Sequence, residues 1–125
     1  MIIKNWIFGQ VVELPDQEFN RIESNTEEFI DNITWEIWAA NTFKKDRDVA
    51  WIATVDELQN IEDNLLEIAN KFSIAYEYKT WEYDHAITHN DLNRWEMLIS
   101  LANTYASLIN IEYVGTFNVG EVGLI

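Results

Sequence analysis

Between Thr54 and Phe72 the chain carries a helix whose start, register and outer face can all be read from the residues. Thr54 and Glu57 form a Thr-x-x-Glu capping box. Leu58, Ile61, Leu65, Ile68 and Phe72 follow at alternating spacings of three and four, the signature of one buried helix face. Asp56, Glu57, Glu62, Asp63 and Glu67 occupy the remaining surface, and acids in the first turn suit the helix dipole. Any fold for this chain must accommodate that amphipathic rod. The stretch after it, residues 74–84, alternates β-branched and aromatic side chains and reads as a strand. Tyr76 and Tyr78 share one face and Trp81 and Tyr83 the other. The phase breaks at Lys79-Thr80, as at a bulge.

The remaining elements are expected around this unit. Residues 2–14 read as a central strand with both faces apolar, a bulge at Gly9 and a stop at Pro15. Residues 16–32 read as a helix in two pieces, the second starting at a Ser24-x-x-Glu27 capping box. Residues 33–43 favour a strand by composition, with a helix over residues 26–43 as the alternative register. Residues 49–53 follow the charged turn 44–48 as a short strand. Thr88 or Asn90 can cap a helix over residues 91–108, on which Leu92, Trp95, Leu98, Ala102, Tyr105 and Ile109 align. Residues 111–117 read as a last strand, followed by a turn-rich tail.

The predicted order is β-α-β-β-α-β followed by α-β. It implies an α/β (α+β) fold: one domain over residues 1–125, a mainly antiparallel sheet in ferredoxin-like order with helices packed on it, and a C-terminal α-β extension. A length of 125 residues suits one domain with a self-supporting core.

Charge narrows the functional classes. Aspartate and glutamate number 22 against 8 lysines and arginines, a formal net charge of −14. The excess is spread along the chain, so it describes a surface and not a tail. Such a field repels phosphate backbones and anionic membranes, which argues against direct nucleic-acid binding and against an RNA-recognition reading of the strand order. It attracts basic proteins. The chain has no cysteine, which removes disulfides and thiolate chemistry. No apolar run is long enough to span a bilayer, and the first residues do not resemble a signal peptide, so a bacterial cytoplasmic location is expected.

Motifs for catalysis are missing. No serine lies in a Gly-x-Ser-x-Gly elbow, and no glycine-rich phosphate loop exists. His85 and His89, near Asp84 and Asp91, would share a helix face, but a cap at Thr88 or Asn90 leaves His85 outside the helix, so neither a metal nor another cofactor is expected. What stands out is the mixture of acids and aromatics. A partner-binding surface is predicted at Glu77, Tyr78, Trp81, Glu82, Tyr83 and Asp84, with Asp56, Glu57, Glu62 and Asp63 as a second acidic patch.

These features favour a non-enzymatic, acidic protein-binding inhibitor. The leading form is an immunity or antitoxin protein that covers the active site of a basic toxin or nuclease domain. A phage-type inhibitor that mimics nucleic-acid charge has the same physical description. The rival classes are a small-molecule-binding domain or enzyme with a pocket lined by Trp35, Trp38 and Trp95, and a structural subunit that assembles through an open sheet edge.

Overall fold

The computed structural model describes the backbone of residues 1–115 and the side chains of residues 1–109. Three helices form it: α1 (Pro15–Asn32), α2 (Val55–Lys71) and α3 (His89–Gly115). Each packs on the other two. No strand occurs among the described residues, so the predicted sheet is replaced by an all-helical frame overlaid with extended segments. No helix among the described residues is long and apolar enough to cross a membrane.

The frame follows the predicted periodicity most closely in α2. Thr54 is its N-cap, and the hydroxyl accepts a hydrogen bond from the Glu57 N–H at 3.2 Å. Leu58, Ile61, Leu65 and Ile68 are buried, and Phe72 packs against the core from its edge. The helix ends at Phe72. Ser73 then takes a left-handed conformation (φ 54°), which lets the Ile74 N–H reach the Ala69 carbonyl at 2.9 Å. This is the closing bond of a Schellman-type terminus, made here without glycine.

α1 is one helix, not two. Pro15 stands in its first turn, where a missing N–H costs nothing. The helix runs unbroken through the expected Ser24 cap, and the Thr26 hydroxyl donates back to the Ile22 carbonyl at 2.9 Å. Phe19, Ile22, Phe29 and Ile30 line its inner face. α3 starts two residues before the predicted helix and continues through residues 111–115, where a strand was expected. Its buried line runs through Leu92, Trp95, Leu98, Ile99, Ala102 and Ala106, and Tyr105 turns outward. Residues 116–125, which include the end of the predicted last strand and most of the turn-rich tail, lie outside the described residues.

The segments predicted as strands 2–14, 33–43, 49–53 and 74–84 form no ladder. Part of their polar backbone, and of the turn 44–48, is satisfied by side chains projecting from the helices. Asn93 donates to the Trp6 carbonyl and accepts from the Trp6 N–H, both at 2.6 Å. Asn20 makes the same two-way clamp on Arg47, at 3.0 and 3.1 Å. Gln59 donates to the Lys79 carbonyl and accepts from the Trp81 N–H, both at 3.0 Å. Asn60 and Asn64 donate to the Thr42 carbonyl, and Asn25 to that of Ile2. A carboxamide offers the donor and acceptor of a peptide group, so a helix studded with Asn and Gln can hold extended chain as a neighbouring strand would. Gly9 serves a turn and not a bulge. Its φ of 83° lets the Gln10 N–H close on the Ile7 carbonyl at 3.1 Å.

Candidate functional site

The predicted binding segment, residues 77–84, lies across α2 and the start of α3, and a buried carboxylate holds it there. Glu62 is completely buried. Its two oxygens take a bidentate pair from Arg94 (2.6 and 2.6 Å), the Tyr76 hydroxyl (2.5 Å), and the indole N–H groups of Trp81 (2.9 Å) and Trp95 (3.1 Å). Burial by itself would raise the Glu62 carboxyl, but the donors from Arg94, Tyr76 and Trp81 outweigh it and hold it below its ordinary value. Burial, reinforced by Glu62, pushes the Tyr76 phenol above its ordinary value. Asp91 is treated like Glu62. Burial opposes its charge, while the Thr88 N–H, Arg94 and Lys79 together lower its carboxyl.

Two further carboxylates repeat the arrangement. Glu96 is buried against a bidentate Arg21 (2.8 and 2.5 Å) and the Trp6 indole (2.9 Å). Glu23 is buried against Arg47 at 2.5 Å, and the Arg47 guanidinium lies over both the Phe19 and Trp51 rings, with centroids 5.5 and 5.0 Å away. The Trp51 indole donates to Glu57 at 2.7 Å. For Glu23, burial dominates Arg47 and raises its carboxyl. Sequence reading did not single out Arg21, Arg47, Arg94, Glu23 or Glu96. The available signal was the scarcity of cations in a tryptophan-rich chain, because a buried acid requires a partner.

This network sorts the ten predicted contact residues. Trp81 and Glu62 are interior, and Glu57 is half-buried and tied to Arg47 and Trp51. Glu77, Glu82, Tyr83 and Asp84 are exposed, with Tyr83 94% accessible. Asp56 and Asp63 are exposed on α2. Tyr78 links the two acidic patches. Its hydroxyl donates to Asp63 at 2.6 Å and accepts from Gln59 at 2.6 Å. The hydrogen bond to Asp63 raises the Tyr78 phenol above its ordinary value.

The cations leave these patches uncovered. Lys4 pairs with Glu18, Arg21 with Glu96, Lys44 with Asp46 and Lys45 with Glu27. Arg47 pairs with Glu23, Lys71 with Glu36, Lys79 with Asp91 and Arg94 with Glu62. All eight lysines and arginines of the chain are thus engaged by its own acids. None of them lies within ion-pair distance of Asp56, Asp63, Glu77, Glu82 or Asp84 among the described residues.

The two histidines do not form a pair on one helix face. His85 lies in the connection and His89 opens α3. Instead Glu82, Asp84 and His85, all exposed, bring one ligand-type atom each within 4.8 Å of one another. The three tryptophans predicted to line a pocket are also dispersed: Trp95 is in the core, Trp38 is half-buried and donates to the Ile33 carbonyl at 3.1 Å, and Trp35 is 41% exposed. An apolar cavity lies elsewhere, between the N-terminal segment, α1, residues 51–53 and the start of α3.

Comparison of the chain with protein-family models, with curated proteins and with solved structures gives no match in any of the three.

Proposed function

We propose that this chain is an acidic protein-binding inhibitor of the immunity or antitoxin type, acting in the cytosol on a basic toxin or nuclease domain. The observation that carries this reading is the pairing of all eight cations with the chain's own acids. The exposed carboxylates of residues 77–84 and of α2 meet a partner without an internal competitor. An unbalanced field of this kind speeds encounter with a cationic surface and repels an anionic one. Tyr83, between Glu82 and Asp84, supplies an exposed aromatic anchor of the type that carries binding energy once steering has brought two surfaces together. Trp81 and Glu62 support that surface from below instead of touching the partner. A phage-type inhibitor of a nucleic-acid enzyme would use the same surface. The third reading, assembly through an open sheet edge, loses its basis because no strand occurs among the described residues.

The test is capture of a partner on immobilised protein at low salt, elution at high salt, and identification of what elutes. A basic toxin or nuclease domain whose activity falls on re-addition of the chain supports the proposal. A nucleic-acid enzyme of a host under phage attack supports the phage-type form. If capture is unchanged when Glu77, Glu82 and Asp84 are all replaced by lysine, the proposed surface is wrong.

A further inference from the structure

Trp6, Phe19, Trp51, Ala53, Ile87 and Leu92 enclose a cavity of about 310 Å³, with Gln10 and His89 at its polar edge. Its size falls at the lower end of small-molecule sites, and its walls have their usual make-up, mostly apolar and aromatic with few polar groups. Two features define what would fit. First, no aspartate, glutamate, lysine or arginine lines it, although such residues make up 24% of the chain. An ion entering would lose its hydration without gaining a counter-charge, so the occupant is uncharged. Second, the walls present aromatic rings: Trp6, and Phe19 and Trp51, whose centroids lie 4.9 Å apart at a 49° tilt. At the mouth, the Gln10 oxygen accepts from the Ile7 N–H at 3.1 Å, while its NH₂ group has no partner among the described residues. The His89 ring nitrogens likewise make no hydrogen bond among the described residues, and the ring meets Phe8 edge-on at 5.7 Å. These groups can serve one polar atom of a ligand.

We propose that this cavity binds a small uncharged aromatic molecule of about the size of indole, with its ring between Trp6 and Trp51 and a polar atom toward Gln10 and His89. This site is separate from the acidic surface and does not depend on the inhibitor reading. The experiment is a titration of the full chain with indole, followed residue by residue in ¹H–¹⁵N spectra. Saturable shifts are expected at the Trp6 and Trp51 indole N–H and the Ala53 amide, with the Trp35 indole unmoved. Indole-3-acetate, the anionic counterpart, is expected to bind at least tenfold more weakly. Ala53→Leu, which fills the space, is expected to weaken indole binding at least tenfold while the helical circular-dichroism signal is retained. The proposal is overturned if no saturable shift occurs up to the solubility limit of indole. Equal shifts at Trp35, or Ala53→Leu titrating like the parent chain, overturn it as well. Should Ala53→Leu not fold, the shift pattern of the parent chain and the indole-3-acetate comparison decide.

Discussion

Glu62 gathers more hydrogen-bond donors than any other carboxylate among the described residues: an arginine, a tyrosine and two tryptophans from α3 and the connection before it. Its folded pKa lies below its ordinary value of 4.5. The stabilisation is therefore complete above that value and is lost as pH falls through the folded pKa. Removing Arg94 reverses the slope. Arg94→Met leaves a buried, unpaired carboxylate and should cost about 3–5 kcal/mol at pH 7. The variant should recover stability relative to the parent as acid protonates Glu62. Urea denaturation of both chains between pH 7 and pH 4 checks this, and parallel curves would contradict it. Glu23 has the opposite sign. Its folded pKa is raised, so its ionised form burdens the fold as pH rises through that value. Ser73 offers a simpler prediction. Its φ of 54° is costly for an L-residue, so Ser73→Gly should raise stability by roughly 0.5–1 kcal/mol, measurable as a higher denaturation midpoint.

Among the elements, α2 was legible because its information is local. The Thr54 cap, the three-four spacing and the acidic outer face agree with one another within nineteen residues of chain. The extended segments were half legible. Residues 2–14 read as buried on both faces, yet Ile2, Ile7, Phe8 and Val11 are exposed, and Trp81 and Tyr83, expected on one face, divide into a buried and an exposed ring. Periodicity also cannot tell what satisfies the backbone. Here part of that work falls to Gln59 and Asn93, as it does to Asn20 for Arg47 in the turn 44–48; their carboxamides imitate the peptide groups of a neighbouring strand. Asn93→Ala should release the backbone of Trp6 and cost about 1–3 kcal/mol. Hydrogen exchange is the direct measure: the Trp6 amide should lose protection selectively while amides in the middle of α2 keep theirs. Uniform loss would mean that the clamp is not local. The α1 break expected at Ser24 failed for a related reason. A capping-box pattern inside a helix goes unused when tertiary packing favours an unbroken rod, as Ile22, Phe29 and Ile30 do here.

At the scale of the whole molecule, charge is organised by depth. Among the described residues, arginines 21, 47 and 94 neutralise buried acids, the lysines pair nearer the surface, and most unmatched carboxylates face solvent, Asp16 in the first turn of α1 being the buried exception. Association with a basic partner should therefore slow by at least tenfold as ionic strength rises from about 0.01 to 0.15 M, where the screening length shrinks from about 30 to 8 Å. Stopped-flow kinetics on the captured partner would show it. An association rate indifferent to salt would argue that the charge is there for solubility.

Composition and local spacing were sufficient, without any coordinates, for the strong negative charge, the absence of cysteine, the α2 helix with its cap, and the greater part of α1 and α3. Each of these depends on residues close in sequence or on a simple count. Which acids lie inside was decided by the tertiary structure alone. Glu62 looks like one more surface acid on α2 until Arg94, 32 positions away, is folded against it. Trp81 looks like a contact residue until its indole finds the same carboxylate. Burial of a charge is favourable only when its partner arrives with it, and no local pattern in the chain specifies that meeting.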